Sequence, residues 1–141
     1  MQLAGKKVVV VGLGRSGLGA VRLCLERGAE VIGTDTREAA AFGAQLDGLA
    51  ADWRLGGHQG VPFSSAELIV VSPGVPPLAE LAAAEAQGVE VIGELELAAR
   101  CLSAPLIAIG GTNGKSTVTT LIGQLLKAAG FKAFLGGNLG V

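Results

Sequence analysis

Two glycine-rich loops, each set between a short apolar run and a helical pattern, constrain this chain more than any other feature. The first is Gly12-Leu13-Gly14-Arg15-Ser16-Gly17, following Val8-Val9-Val10-Val11. The second is Gly111-Thr112-Asn113-Gly114-Lys115-Ser116-Thr117, following Leu106-Ile107-Ala108-Ile109. A strand that turns directly into a helix aims unpaired backbone N–H groups and the positive end of the helix dipole at one point, a geometry suited to phosphate. One such cradle suggests a nucleotide. Two of different type suggest a protein that brings two phosphorylated molecules together.

Around these loops, apolar runs alternate with helical patterns, the mark of βαβ units on a parallel sheet. The spacing predicts strands over 7–11, 30–34, 67–71 and 89–92, with a short strand near 53–55. Helices are expected over 16–27, stopped by Gly28, and from Pro76 or Pro77 to 87, stopped by Gly88. A small helix is expected around 39–46. The fold class is therefore α/β: a Rossmann-like open parallel sheet with helices on both faces, complete by residue 93. Residues 94–102 read as a connecting helix and 103–105 as a boundary. A strand over 106–109, the lysine-bearing loop, a helix to 129 and a strand over 132–135 then open a P-loop unit. This divides the chain into 1–93 and 94–141. One or two strands cannot bury both faces of a sheet, so the second part reads as the truncated start of a larger domain. Its incomplete sheet is a possible route to self-association of the fragment.

Composition bounds the partners. Half of the 141 residues are apolar, and the net charge of −1 gives no sign of nucleic-acid or anionic-membrane binding. No 18-residue apolar span and no signal-peptide pattern is present. The two cysteines, Cys24 and Cys101, make no CxxC and no disulfide framework. They are expected reduced inside helices, which fits a cytoplasmic protein. His58 is the lone histidine and cannot by itself build a multi-histidine metal site.

The first loop matches G-x-G-x-x-G, and Asp35 ends the next strand 21 residues beyond Gly14, where an acid that reads a ribose or a base is expected. Simpler roles, a tight turn and a helix cap, remain open for both. NAD is the default ligand of such a fingerprint, yet nothing in the chain supplies a substrate domain or a proton-relay histidine. Asp35-Thr36-Arg37 offers an acceptor, a hydroxyl and a five-donor fork, which can read a polar base edge as readily as a ribose diol. Ser72-Pro73-Gly74 ends a neighbouring strand and is either a second wall of the same pocket or a plain turn. In the second loop Lys115 can reach terminal phosphates and the Ser116 hydroxyl can ligate magnesium. The strict P-loop pattern needs glycine at position 109, where this chain has Ile109. His58 is expected to be a surface-loop residue, and Trp53 and Phe63 to anchor that loop to the sheet.

Taken together, the Gly12–Gly17 loop, Asp35-Thr36-Arg37, Ser72-Pro73-Gly74 and Gly111–Thr117 resemble the Mur ligase family, over the whole chain but only the N-terminal portion of such an enzyme. Gly136-Gly137-Asn138-Leu139-Gly140 is similar to a further family motif. The resemblance implies that the first domain binds UDP-substrate rather than NAD. Asp35, Thr36 and Arg37 would contact the uracil region, with Ser72 and Gly74 nearby. Gly14, Arg15 and Ser16 would line the diphosphate, and Asn138 would reach the same substrate. Arg15 stands where the family often has an apolar residue, and Gly110 where it commonly has threonine. Asn113 favours the D-glutamate-adding branch over the L-alanine-adding one.

The implied reaction is ATP-dependent amide formation, adding D-glutamate to UDP-N-acetylmuramoyl-L-alanine through an acyl phosphate in peptidoglycan precursor synthesis. Gly111, Thr112, Asn113, Gly114, Lys115, Ser116 and Thr117 would hold ATP. Lys115 and Ser116 would be catalytic, and Ser116 would ligate Mg2+. The remaining family ligands would lie beyond Val141, so the fragment alone is expected to lack turnover. The parent is expected to be a monomer. A nicotinamide-dependent oxidoreductase domain and a non-catalytic nucleotide-binding module are the competing readings.

Overall fold

The unbroken run of valines forms the middle of the sheet. In the computed structural model, which describes residues 1–137, β1 (Lys7–Val11) pairs in parallel on both sides, and Val8 to Val11 are all essentially inaccessible to solvent. The other strands are β2 (Glu30–Asp35), β3 (Asp52–Leu55), β4 (Leu68–Val71) and β5 (Glu90–Gly93), in the spatial order β3-β2-β1-β4-β5. A strand buried on both faces reads as a continuous apolar run rather than an alternation.

Side chains of β1 nevertheless alternate between two cores. Val8 and Val10 share one with Leu68 and Val70, and α1 (Arg15–Glu26) and α3 (Glu94–Cys101) cover it through Val21, Cys24 and Leu97. Val9 and Val11 share the other with Ile69, Phe63 and residues Leu81 and Ala84 of α2 (Ala79–Ala86). Helices thus lie on both faces, as the sequence pattern requires. The strand order reverses between β1 and β4, and in such sheets the crevice outside the carboxyl ends at that switch point receives ligands.

Three local expectations shift. Residues 39–46 form two 3-10 turns, Ala39–Ala41 and Gly43–Leu46, separated by buried Phe42, and Gly43 opens the second at φ +51°. Helix α2 begins at Ala79 rather than at a proline. A residue before proline disfavours the helical region, which keeps Pro76 from opening a helix, and Leu78 is itself extended. The helix over 94–101 does not open the second unit, because the chain divides into Met1–Ser103 and Ala104–Val141. Leu97 and Cys101 lie one turn apart on a buried stripe, Arg27 Nη2 donates to the Cys101 carbonyl at 2.9 Å, and the N-terminal ammonium donates to the Arg100 carbonyl. These contacts fasten α3 to the first unit, so the division near residue 93 moves to residue 103.

Within the second unit, α4 (Lys115–Ala128) follows the lysine-bearing loop. Gly123 takes the Leu135 side chain so closely that a Cβ there would collide with it. The strands expected over 106–109 and 132–135 form no ladder among the described residues, and Leu106 and Ile107 are exposed. A strand is defined by its hydrogen-bonded neighbour, and none is recorded for either segment. Both cysteines are free and buried in helices, and burial, helped by Cys101, pushes the Cys24 thiol up to about 11. No helix among the described residues is long and apolar enough to cross a membrane.

Candidate functional site

At the end of β2, Asp35 is buried and its carboxylate is fully engaged. Oδ1 accepts from the Arg37 backbone N–H and Nε at 2.9 and 3.0 Å, and Oδ2 accepts from Arg37 Nη2 and the Leu13 N–H at 2.8 and 2.7 Å. Four donors fill the four lone-pair positions of a carboxylate. The Arg37 side-chain hydrogen bond, aided by the two backbone N–H groups, outweighs burial and holds the Asp35 carboxyl well below the usual carboxylate range. Arg37 is fixed in turn: its guanidinium lies 4.5 Å above the ring of Phe42.

The glycine loop beside this acid divides its labour. Gly12 has φ +84°, and its N–H donates to the Thr34 carbonyl at 2.8 Å. A Cβ on Gly17 would run into the Gly12 carbonyl, so that glycine permits the close approach of α1 to β1. Gly14 differs from both. It caps α1 at φ −64°, and no protein atom lies within 4 Å of a Cβ built on it. No protein contact requires glycine at 14, and the space above it is open. The first intrahelical bond runs from Leu18 N–H to the Gly14 carbonyl, so the N–H groups of residues 15–17 lack helical partners.

Across the loop, the Ser72 hydroxyl donates to the Gly12 carbonyl at 2.7 Å and also meets Glu94 Oε1 at the start of α3. These groups frame one open cleft of about 460 Å³ at the carboxyl ends of β1, β2 and β4. Gly14, Arg15, Ser16, Asp35, Thr36, Arg37, Ser72 and Gly74 all line it. A second depression lies at the opposite, amino ends of β1 and β2, lined by Lys7, Glu30 and Asp52 among others. It contains none of the glycine-loop residues.

In the other unit, the lysine-bearing loop ends at Gly114, the cap of α4 at φ +77°, and begins at Gly111, φ +143°. Such angles favour glycine. Lys115 folds back over the loop, its Nζ donating to the carbonyls of Gly111 and Thr112 at 2.5 and 3.1 Å. Residues 111–118 are all exposed. The Thr119 hydroxyl donates to the Lys115 carbonyl one turn back at 2.8 Å.

The family profile of the Mur ligase MurD-like N-terminal domain matches residues 6–93. This chain belongs to the Mur ligase family. It is 50% identical to the UDP-N-acetylmuramoylalanine–D-glutamate ligase of Geotalea uraniireducens (strain Rf4), over 99% of this chain and 32% of that protein. It is 51% identical to the same-named ligase of Desulfosudis oleivorans (strain DSM 6200 / JCM 39069 / Hxd3), over 99% of this chain and 31% of that protein. Among solved structures it resembles the UDP-N-acetylmuramate-alanine ligase MurC of Thermotoga maritima, with a TM-score of 0.55 and 26% identity over 94% of this chain and 32% of that one. The chain therefore spans about a third of the length of the curated relatives it matches.

For a Mur ligase N-terminal domain, the structure gathers every first-domain residue singled out from sequence into one cleft. Residues 111–117 stand together in the second unit, and Asn138 lies outside the described residues. Two further side chains line the same cleft: His58, expected from sequence as a surface-loop residue, and Glu94, expected only as the start of a connecting helix. Each follows closely on the carboxyl end of a parallel strand, β3 or β5. The rule that ligands sit outside carboxyl ends pointed to both positions, but each lies beyond an edge strand of the sheet rather than beside the switch point.

Proposed function

We propose that this chain is the N-terminal part of an ATP-dependent ligase that adds D-glutamate to UDP-N-acetylmuramoyl-L-alanine in peptidoglycan precursor synthesis. The first unit holds the uridine diphosphate portion of that substrate. The observation that carries this reading is the convergence of the Gly14–Ser16 loop, Asp35–Arg37, Ser72 and Gly74 on one cleft at the sheet's switch point. The open space over Gly14 and the unpartnered N–H groups of residues 15–17 suit a diphosphate. The half-exposed guanidinium of Arg37, already placed over the Phe42 ring, offers its remaining N–H groups to a uracil ring. Asp35 acts through Arg37 and Leu13, presetting the arginine and the loop before substrate arrives.

ATP and Mg2+ fit the second loop. Gly111 and Gly114 hold angles that open the backbone, and Lys115 Nζ already seeks oxygen acceptors over the loop. Residues 111–117 would wrap the phosphate chain, with the Ser116 hydroxyl as a magnesium ligand. When bound, ATP supplies the phosphoryl group that activates a carboxylate for amide formation. Lys115 would neutralise charge at the transferring phosphate, and Asn113 and Thr112 would shape its cradle.

Calorimetric titration of the 141-residue chain with UDP, UDP-N-acetylmuramoyl-L-alanine, NAD and Mg2+-ATP tests the reading. UDP and the full substrate are expected to bind and NAD to give no heat. Tight NAD binding with no response to UDP would overturn it.

A further inference from the structure

His58 lies at the cleft, and the chain is bent specifically to bring it there. After β3 ends at Leu55, Gly56 and Gly57 follow at φ +81° and +136°, angles that side-chain-bearing residues rarely adopt. Both are tied to the end of β2: the Gly56 N–H donates to the Arg37 carbonyl at 2.9 Å and the Gly57 N–H to the Asp35 carbonyl at 3.1 Å. The buried Thr34 hydroxyl donates to the Gly57 carbonyl at 3.3 Å and stands 2.9 Å from His58 Nδ1. A hydroxyl has one proton. Given to the Gly57 carbonyl, it leaves Oγ1 to accept from His58 Nδ1–H, and the neutral ring then presents Nε2 as an acceptor. Among the described residues, Nε2 has no protein partner, and the half-buried His58 lines the cleft beside Thr36 and Arg37.

The acid that would ordinarily read the donor groups of a nucleoside is saturated. All four acceptor positions of Asp35 are taken by Arg37 and Leu13. Uridine still brings donors that need acceptors, the uracil N3–H and the ribose hydroxyls. We propose that His58 is a specificity-determining residue of this cleft, its Nε2 accepting a hydrogen bond from a uridine donor that Asp35 has no free lone pair to receive. This rests on the reading of the cleft as a UDP-substrate site.

The test separates the two ring nitrogens. Asparagine places a polar atom where Nδ1 sits and nothing at Nε2; glutamine reaches towards the Nε2 position. UDP is titrated into the wild-type chain and into His58→Ala, His58→Asn and His58→Gln, with thermal melting of each to confirm folding. One lost neutral hydrogen bond corresponds to a roughly fivefold to tenfold weaker dissociation constant. That loss is expected for the alanine and asparagine variants, with partial recovery for glutamine. N3-methyl-UDP, 2′-deoxy-UDP and 3′-deoxy-UDP then identify the donor: against one of them, wild type and His58→Ala bind alike. If His58→Asn binds UDP as wild type does, the histidine only braces Thr34 and the inference is overturned. It is overturned equally if the alanine penalty persists in full against all three analogues. If wild type binds no UDP, the reading of the cleft itself fails and the inference falls with it.

Discussion

Arg37 holds Asp35 through both Nε and Nη2, at 3.0 and 2.8 Å, while the same carboxylate accepts the Leu13 N–H from the first glycine loop at 2.7 Å. One buried acid thus joins the end of β2 to the loop that follows β1. It sets the place of the half-exposed Arg37 fork with respect to that loop. The arrangement is preorganised before any ligand arrives, which limits the ordering that binding must impose.

Removing either member of this pair has unequal consequences for stability. Asp35→Ala leaves the buried Leu13 N–H without an acceptor, and such an orphan costs about 2–3 kcal/mol once the charged partner is lost as well. Arg37→Ala leaves Asp35 two backbone donors, and its own side chain is half exposed, so about 1 kcal/mol is expected. Urea unfolding of both variants measures the difference. Equal losses would mean that the ion pair, not the loop bond, carries the stabilisation.

Acid should expose the same linkage. The folded-state pKa of Asp35 lies below its ordinary value, so over the interval between them the unfolded chain binds more protons and stability rises with pH. Its contribution is present above about pH 4, the ordinary aspartate value, and is lost as the pH falls further. Melting curves of wild type and Asp35→Asn should therefore converge as the pH is lowered from about 5 towards about 2. Curves that stay parallel through that window would remove Asp35 from the account of acid stability.

Two glycines of one motif should respond in opposite ways. Gly17→Ala drives a methyl into the Gly12 carbonyl, and the backbone shift should cost more than about 2 kcal/mol. Gly14→Ala meets no atom within 4 Å and sits at an ordinary φ, so stability should change by less than about 1 kcal/mol, the difference between these residues at a helix cap. UDP affinity should nevertheless fall in Gly14→Ala, because the methyl occupies the approach of the diphosphate. A Gly14→Ala protein that melts as wild type and binds UDP unchanged would show that nothing comes close there.

The pattern of this sheet was legible because its central strand carries four valines and its turns carry glycines whose angles other residues avoid. The site was legible for the same reason: Gly12, Gly17, Asp35 and Ser72 mark where the backbone must bend or close. The engagement of Asp35 was not. It depends on Arg37 curling back across two residues and on the Leu13 N–H arriving from the loop after β1, and neither is encoded in spacing. His58 was hidden because its placement follows from two consecutive left-handed glycines and a buried threonine. The strands expected at 106–109 and 132–135 show the opposite limit, since apolar, β-branched character describes a strand's faces and not its hydrogen-bonded neighbour.

Lys115 should separate ATP affinity from folding. Its ammonium touches only two exposed loop carbonyls, so Lys115→Met should leave the melting temperature unchanged within error. Binding of a fluorescent Mg2+-ATP analogue should weaken by at least about tenfold, the loss expected of a charge-assisted contact to phosphate. UDP binding, which uses residues of the other unit, should be untouched. A variant that keeps full ATP affinity would reduce this loop to a helix start with a solvated lysine.

The boundary of the first unit can be located by what α3 buries. Leu97 is wholly inaccessible and packs in the core that α1 shares with β1, and Cys101 lies one turn further on the same stripe. Replacing a fully buried leucine by alanine costs about 2–5 kcal/mol, so Leu97→Ala should be among the most damaging single changes in the chain. Arg27→Ala removes only the fork that grips the Cys101 carbonyl and should cost about 1 kcal/mol. A chain ending at residue 103 should then unfold cooperatively with the stability of the full unit. One ending at residue 93 leaves that stripe of the core open to water and should melt early or aggregate. If the two truncations unfold alike, α3 is an appendage and the first unit closes at β5. If only the longer one is stable, the helix after the sheet belongs to the fold that holds the cleft, and Glu94 at its start is held by the same packing that keeps Ser72 and Gly12 in register.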